Sequence, residues 1–570
     1  MMRKTQLPVA SKVCSLMSFP LYSQPSTGYN RSIPHNRKDL LSMFRPTCRQ
    51  ASFFDTDSLC ERLIPEDSFY RRFRQTVYPL IKDDDFRQMY CRDNGRPAIS
   101  PSLLAMATIL QFHRDLSDRQ MERACTYDIE IKYALSLSID EHPFDHSSLH
   151  DFRKRLLVNG KEKEAFDRIL GALIDNGLIE KNEVQRIDAT HVIADIAIPT
   201  MIGLVKRGIF EVIKPLRKRH PDTFDTLSSD IDLTSYDRNE INHDHPGRMD
   251  MEKKKRVLVD VVKDARKVLD HVRDIDDPVI IEPAGMLRRI LRENIEEDNE
   301  GAREMPYSGK PKDILVSPVD PDARYGAKSR SKRFTGYKAN ITETTKSRFI
   351  TSIQAIPGNR HDGDVTTISV MEQQPHGLKP EKLIGDTAYS NGIHRRALRD
   401  VGTKVIAPLK IPNNTTRAVL PKRMFHHNEE AMTLTCPEGV TVGPTYYDTH
   451  HAETVYRFPQ AVCTRCPRNS ECTISSDKRR TVCISRFNRD LRDAEVYNRT
   501  EAFKEDMRLR PPIEGKLSEM VRYHGLRRAR YRGLKKVRLQ CYFTAAVVNI
   551  KRWIKLEIEK LKPKIGFVPA

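Results

Sequence analysis

The chain has 570 residues, 38% of them hydrophobic and 31% charged, which suits two to four globular domains. Its 97 Lys and Arg against 77 Asp and Glu give a formal charge of +20, which points to nucleic acid as a partner, with a plain basic surface as the alternative. No uncharged apolar run reaches the roughly 18 residues that a membrane span needs, and Ser11, Lys12 and Ser15 break the apolar run behind Met1-Met2-Arg3-Lys4, making a poor signal peptide.

Residues 1–55 are rich in Ser, Pro, Asn and Arg without periodicity and predict a flexible leader. An all-α domain is expected over 60–160. In it Pro101 opens a helix of good helix formers, Ser117 and Gln120 make a capping box for a second, and 147–156 form a third with a basic end at Arg153, Lys154 and Arg155. The pattern then turns to strands. Val184–Ile198 mixes β-branched and small residues, 337–344 and 348–356 read as an antiparallel pair about Thr345-Lys346-Ser347, and 383–386 and 403–407 are short buried strands. A charged helical insert occupies about 205–300, and a second insert, 410–485, holds a cysteine cluster. Residues 180–409 and 486–555 are expected to form one α/β core around these inserts.

Three acids stand where folding can bring them together. Asp188 lies within the first strand, Asp386 closes a later one, and Glu514 sits in the first turn of a helix behind Pro511-Pro512, where a carboxylate suits the dipole. Phosphodiester chemistry is served by two divalent ions about 3.5–4 Å apart, held by a few carboxylates. Taken singly, each acid reads equally as a cap or turn residue. Asp362 and Asp364 show that plainer reading, as caps for a helix from Val365.

Collinear blocks resemble those of bacterial insertion-sequence DDE transposases. They are Gly95-Arg96-Pro97, Leu116-Ser117-Asp118-Arg119 and 152–156; Asp188-Ala189-Thr190; 317–324 and Gly336-Tyr337-Lys338; Gly385-Asp386-Thr387-Ala388-Tyr389; and Ile513-Glu514-Gly515-Lys516, 525–533 and Asn549-Ile550-Lys551-Arg552. Together they cover about residues 60–555. The resemblance implies an α/β, RNase H-like mixed sheet flanked by helices, behind an all-α N-terminal domain and with a small Cys-containing insert. Asp188, Asp386 and Glu514 would hold Mg²⁺ (or Mn²⁺) to cleave DNA at element ends and transfer the strand. Double-stranded DNA and a homodimer or larger synaptic assembly are the implied partners. Relatives carry a Tyr and an Arg ahead of the Glu and a Lys about two turns after it; here Met507 stands at the Tyr position, Arg510 fits the Arg, and Val521 replaces the Lys, with Arg522 adjacent. A non-joining nuclease shares the chemistry, and an inactivated DNA-binding regulator would have lost an acid, whereas all three are present.

Cys463 and Cys466 have ligand-knuckle spacing, with Cys472 after them, Cys436 before and Cys483 as a possible substitute. They read as a structural Zn²⁺ site, or as a redox pair or unligated thiols. The odd count of eleven cysteines suits a reducing cytoplasm better than a disulfide framework. For DNA contact the candidates are Arg510, Arg522, Arg528 and Arg530, in or beside a segment with no acid between Met520 and Leu556, and Arg153 and Arg155 on the helical domain. Packing on the core is the alternative for that domain.

Overall fold

The computed structural model describes Phe44 and residues 55–561 apart from 92–96, 197–198, 238–249, 299–300, 307, 330 and 410–419. The leader, but for Phe44 and Asp55, and the Gly95-Arg96 block lie outside the described residues.

Helical spacing of apolar residues builds the N-terminal unit from α1 (Thr56–Cys60), α2 (Phe69–Thr76), α3 (Pro101–His113), α4 (Asp118–Tyr127), α5 (Ile129–Ala134), α6 (His146–Val158) and α7 (Glu164–Asp175). Pro101 takes the first turn of α3 behind a Ser100 cap, and Ser117 with Gln120 makes the box at α4. α3 is buried from Pro101 to Phe112, as a helix that is apolar all round must be.

Next comes β1 (Gln185–Ile193), followed by a helical insert: α8 (Met201–Arg219), α9 (Pro221–Asp230), α10 (Met251–His271), α11 (Pro278–Asn294) and the hairpin β2 (Ile295–Asp298) and β3 (Gly301–Glu304). The insert closes its own core, from Ile202 to Leu315. The chain returns through β4 (Arg324–Ala327), β5 (Arg333–Thr344), β6 (Ile350–Pro357), α12 (Thr366–Met371), β7 (Lys382–Ile384), α13 (Gly392–Asp400) and β8 (Lys404–Ile406). Strands lie in the order β6-β5-β1-β7-β8, with β4 on the far end of β5. β5 runs antiparallel to β1, β4 and β6, while β1, β7 and β8 are mutually parallel. This is the mixed, helix-flanked sheet expected of the core.

The cysteine insert holds small sheets of β9 (His426–Asn428), β10 (Thr433–Thr435) and β11 (Thr441–Val442), and of β12 (Tyr446–Asp448), β13 (Glu453–Arg457) and β14 (Thr481–Ser485). Between β13 and β14 lie α14 (Gln460–Arg465) and α15 (Asn469–Cys472). The chain ends in α16 (Asn488–Tyr497), α17 (Glu501–Arg508), α18 (Ile513–Tyr523) and α19 (Leu534–Leu561). The apolar stretch of α19, buried from Leu539 to Ile550, packs between the sheet and the N-terminal helices in one shared core. Ile187, Val365, Leu383, Leu398 and Val405 close the opposite face. Among the described residues no helix is long and apolar enough to cross a membrane.

Several boundaries differ from the sequence reading. β1 stops at Ile193, short of Ile198, because Ala194 donates instead to the Thr335 carbonyl as the chain turns into the insert. β6 begins at Ile350 because Arg348 takes a left-handed turn conformation, φ 68°. Neither Asp362 nor Asp364 caps the helix after residue 361. The His361 side chain accepts from Gly363 N, ahead of a tight turn over Asp362–Val365, and Asp362 pairs with Lys338 at 3.1 Å. β5 starts at Arg333, four residues before the expected Tyr337, because its first part pairs with β4 rather than β1.

Gly336 stands where β5 changes partner, at φ 145°, and a Cβ there would lie 2.2 Å from the Val192 carbonyl oxygen. No other residue fits that crossing without backbone movement. Gly336→Ala is expected to destabilise by at least about 1–3 kcal/mol, seen as a lower melting temperature; a variant melting with the wild type would contradict the crossing.

Candidate active site

The three acids are delivered by separate elements to one edge of the sheet. On β1, alternation puts Arg186, Asp188 and Val192 on the face packed against α18. Asp188 Oδ1 accepts from Ala189 N at 2.8 Å, leaving Oδ2 to take Arg510 Nη2 at 2.8 Å. The same nitrogen lies 3.9 Å from Asp386 Oδ2. Asp386 divides its oxygens likewise: Oδ1 accepts from Ala388 N at 2.8 Å, capping the turn Thr387–Tyr389. Glu514, in the first turn of α18, is exposed and adds its charge to the field at Asp188.

The site is short of positive charge. Burial, with Asp386 and Glu514 nearby, raises the Asp188 carboxyl above its ordinary range, while Ala189 N and Arg510 pull it down. Arg510 stands between two carboxylates that would otherwise repel, and its own Nε is buried without a partner. Oxygen-only donors with surplus negative charge match the chemistry of a hard divalent cation. Among the described residues, no group of three or more His, Cys, Asp or Glu side chains is gathered closely enough to hold a metal ion.

The four cysteines share one cavity of about 440 Å³, lined by Cys436, Cys463, Cys466 and Cys472 together with Phe425 and Phe458. Cys436 and Gly439 close one tight turn through Cys436 N to Val440 O and Gly439 N to Cys436 O, and Cys466 N donates to Cys463 O in another. Burial, and then the neighbouring thiols against the opposing pull of Arg480, raises Cys472 above the usual thiol range. Cys483 lies on β14 and does not line the cavity, which removes it as the substitute ligand.

Two family models match the chain. One, described as a transposase DDE domain, covers residues 435–554, and the other, described as a transposase domain of the DUF772 group, covers 58–155. These two matches indicate an insertion-sequence DDE transposase. No curated protein and no solved structure gives a significant match. The matched residues include Glu514 but neither Asp188 nor Asp386, so the geometry carries the case for those two. DNA binding and divalent-metal use follow from the family.

The transposase spends several of the expected DNA-binding arginines on itself. Arg153 is buried, pairs with Asp118 and lies 5.2 Å from the Tyr531 ring centroid. Arg530 donates to Leu116 O at 2.7 Å, pairs with Asp115 and covers the Phe112 ring. Both clamp the N-terminal helices onto the C-terminal segment, through partners too distant in sequence to be anticipated. Arg522 and Arg528 are exposed, and so is Arg155, which lies over Tyr90.

Residues missed by the sequence reading set the geometry. Glu343, opposite Arg186 across β1 and β5, is fully buried and accepts from Arg186 Nε at 2.8 Å and Arg348 Nε at 2.7 Å. Arg186 also donates to Leu509 O at 2.6 Å, and Arg348 to Pro512 O at 3.2 Å. These carbonyls flank Arg510 and precede Glu514. A charged residue two positions before Asp188, on the same face of the strand, was the available signal. Glu343→Gln leaves buried guanidinium charge under-compensated and is expected to cost about 3–5 kcal/mol, measured by denaturant unfolding; a loss below about 1 kcal/mol would mean the pair is not the anchor described.

Proposed function

We propose that Asp188, Asp386 and Glu514 are the metal-binding carboxylates of this transposase, holding Mg²⁺ or Mn²⁺. The observation that carries the reading is Arg510 Nη2, which stands 2.8 Å from Asp188 and 3.9 Å from Asp386 at a point where the field of Glu514 also reaches. Divalent ions, when bound, polarise the attacking oxygen and stabilise the leaving one. Asp188 and Asp386 each present one oxygen to the cleft while the other is fixed by a backbone N–H, so the ligand directions are set before substrate arrives. Glu514 completes the set from a helix whose start is tied to the sheet through Leu509 and Pro512.

Water attacks the phosphodiester at the element end, the phosphorus–oxygen bond to the leaving strand breaks, and a 3′-OH is released. That hydroxyl then attacks a target phosphodiester in line, joining one strand as another leaves. Arg510, and the exposed Arg522 about two turns after Glu514 on α18, would steady the transferred strand. Arg528 and Arg155 are further phosphate contacts in this reading. The helical N-terminal unit would read terminal repeats, and a homodimer or larger assembly would bring two ends together, in the cytoplasm where the DNA lies.

Asp188→Ala, Asp386→Ala and Glu514→Gln are each expected to abolish Mg²⁺-dependent cleavage and strand transfer on DNA flanking the gene while duplex binding persists. Retained strand transfer in any of them defeats the assignment. Cleavage without joining by the wild type would favour a nuclease, and binding alone a regulator.

The cysteine cavity supports a structural Zn²⁺ held by Cys436, Cys463, Cys466 and Cys472, bracing an insert whose own apolar core is small. Purified protein is expected to carry about one zinc per chain, as four thiolates closing one tetrahedral site require, and chelation should lower its melting temperature. Metal analysis finding no zinc removes this part of the proposal.

A further inference from the structure

β4 and the first residues of β5 form a two-stranded ribbon that runs on past the end of β1: Arg324 pairs with Gly336, Tyr325 with Thr335, Gly326 with Phe334 and Ala327 with Arg333. Its root is rigid. Arg324 is buried and pairs with Asp313 at 2.7 Å, and the Phe334 ring lies 5.0 Å from the His191 ring, against Gly326, where a Cβ would come within 2.3 Å. Its tip is basic. From Ala323 to Thr342 the sequence contains no acid. Lys328, Lys332 and Arg333 are exposed, and among the described residues none has an ion-pair partner. The helical insert before it carries both signs and forms pairs such as Arg207 with Glu211 and Arg266 with Glu297. A cluster of unpaired charge of one sign favours a partner of the other sign.

We propose that the ribbon Arg324–Gly336 is a DNA-binding arm, with Lys328, Lys332 and Arg333 holding the phosphates of the duplex beside the cleavage point. A two-stranded ribbon fits the width of the major groove, and Lys and Arg displace condensed counterions from the backbone. The arm is an extension of the strand that pairs with Asp188: Ile341 stands opposite that acid and Arg333 is eight residues away along β5. At about 3.4 Å per residue the tip lies about 27 Å along the strand from the acids, within one helical turn of DNA. The inference rests on the active-site reading above for its sense of direction, but its test does not depend on catalysis.

Full-length protein is titrated with a mixed-sequence duplex of ~40 bp, about four helical turns, and anisotropy is followed over a range of salt concentrations. The wild type, the triple variant Lys328→Ala/Lys332→Ala/Arg333→Ala, the charge-preserving variant Lys328→Arg/Lys332→Arg/Arg333→Lys and Glu514→Gln are compared. The triple alanine variant is expected to reduce the slope of log K against log salt by about 2–3, for three lost phosphate contacts at about 0.9 each, and to bind on the order of 10- to 100-fold more weakly near 0.15 M salt. Its melting temperature should match the wild type, and the charge-preserving variant should keep the wild-type slope. An unchanged slope in the alanine variant overturns the proposal. So does a normal slope accompanied by loss of self-association, which would give the ribbon to a protein partner. Glu514→Gln should bind as the wild type does. If it instead still cleaves, the active-site assignment fails while the ribbon's slope stands as measured.

Discussion

The buried carboxylate of Glu343 is the constraint on which the catalytic geometry turns. A charge removed from water is tolerable only when it is paired and its remaining lone pairs are satisfied. Glu343 meets that condition through Arg186 and Arg348, and Lys516 lies 4.0 Å away as a third cation. Because both guanidinium groups also bind backbone carbonyls of the 509–512 turn, satisfying the acid fixes the turn. The turn fixes Arg510 and the start of α18, and so brings Glu514 to a strand more than 300 positions earlier in the sequence. Hydrophobic burial of Ile513, Leu517 and Met520 supplies adhesion for α18 but no register. The polar network supplies the register.

A second dependence joins the two ends of the chain. α19 lies in the core shared by the sheet and the N-terminal helices, and two amides fix it there. Asn549 bonds both the N–H and the carbonyl of Ile350, each at 2.8 Å, and Gln540 bonds Arg530 N and Arg528 O at 2.9 Å. The segment between α18 and α19 then reaches the N-terminal unit through His524 to Phe112 O and Arg530 to Leu116 O. The N-terminal helices therefore belong to the same packed body as the catalytic sheet. On the proposed reading, in which this unit presents DNA to the acids, such coupling matters because slack of even about 1 Å at the reacting atoms erodes catalysis.

What the sequence disclosed follows this division. Period and caps revealed α3, α4 and β1, because local patterning produces them. The three acids could be proposed because each sits in a recognisable block, Asp188 within a strand, Asp386 just past one and Glu514 in the first turn of a helix. The plainer reading of Asp386 as a cap holds in the structure, since one oxygen caps the 387–389 turn while the other faces Arg510. Glu343, Arg186 and Arg348 were not legible as a group, because their meaning lies in a cross-strand pair about 150 residues apart. Arg153 and Arg530 misled for the same reason. A basic residue in sequence is a surface charge only if no distant acid or ring claims it, and Asp118, Tyr531, Asp115 and Phe112 claim these two.

The count of 97 Lys and Arg overstates the cations free to meet DNA, although pairing leaves the net +20 unchanged. Several are held in pairs that join elements, as Arg186, Arg324 and Arg348 show. Among the described residues, Lys328, Lys332 and Arg333 on the β4–β5 ribbon, and Arg522 and Arg528, are exposed and outside ion pairs. Both places flank β1: the ribbon grows from its partner strand, and Arg528 bridges to Ile193 at its end. The two large inserts follow β1 and β8 in the chain, and each closes a core of its own. An insert that satisfies its own hydrophobic requirement makes few demands on the sheet, so the acids keep one geometry while the additions around them can vary.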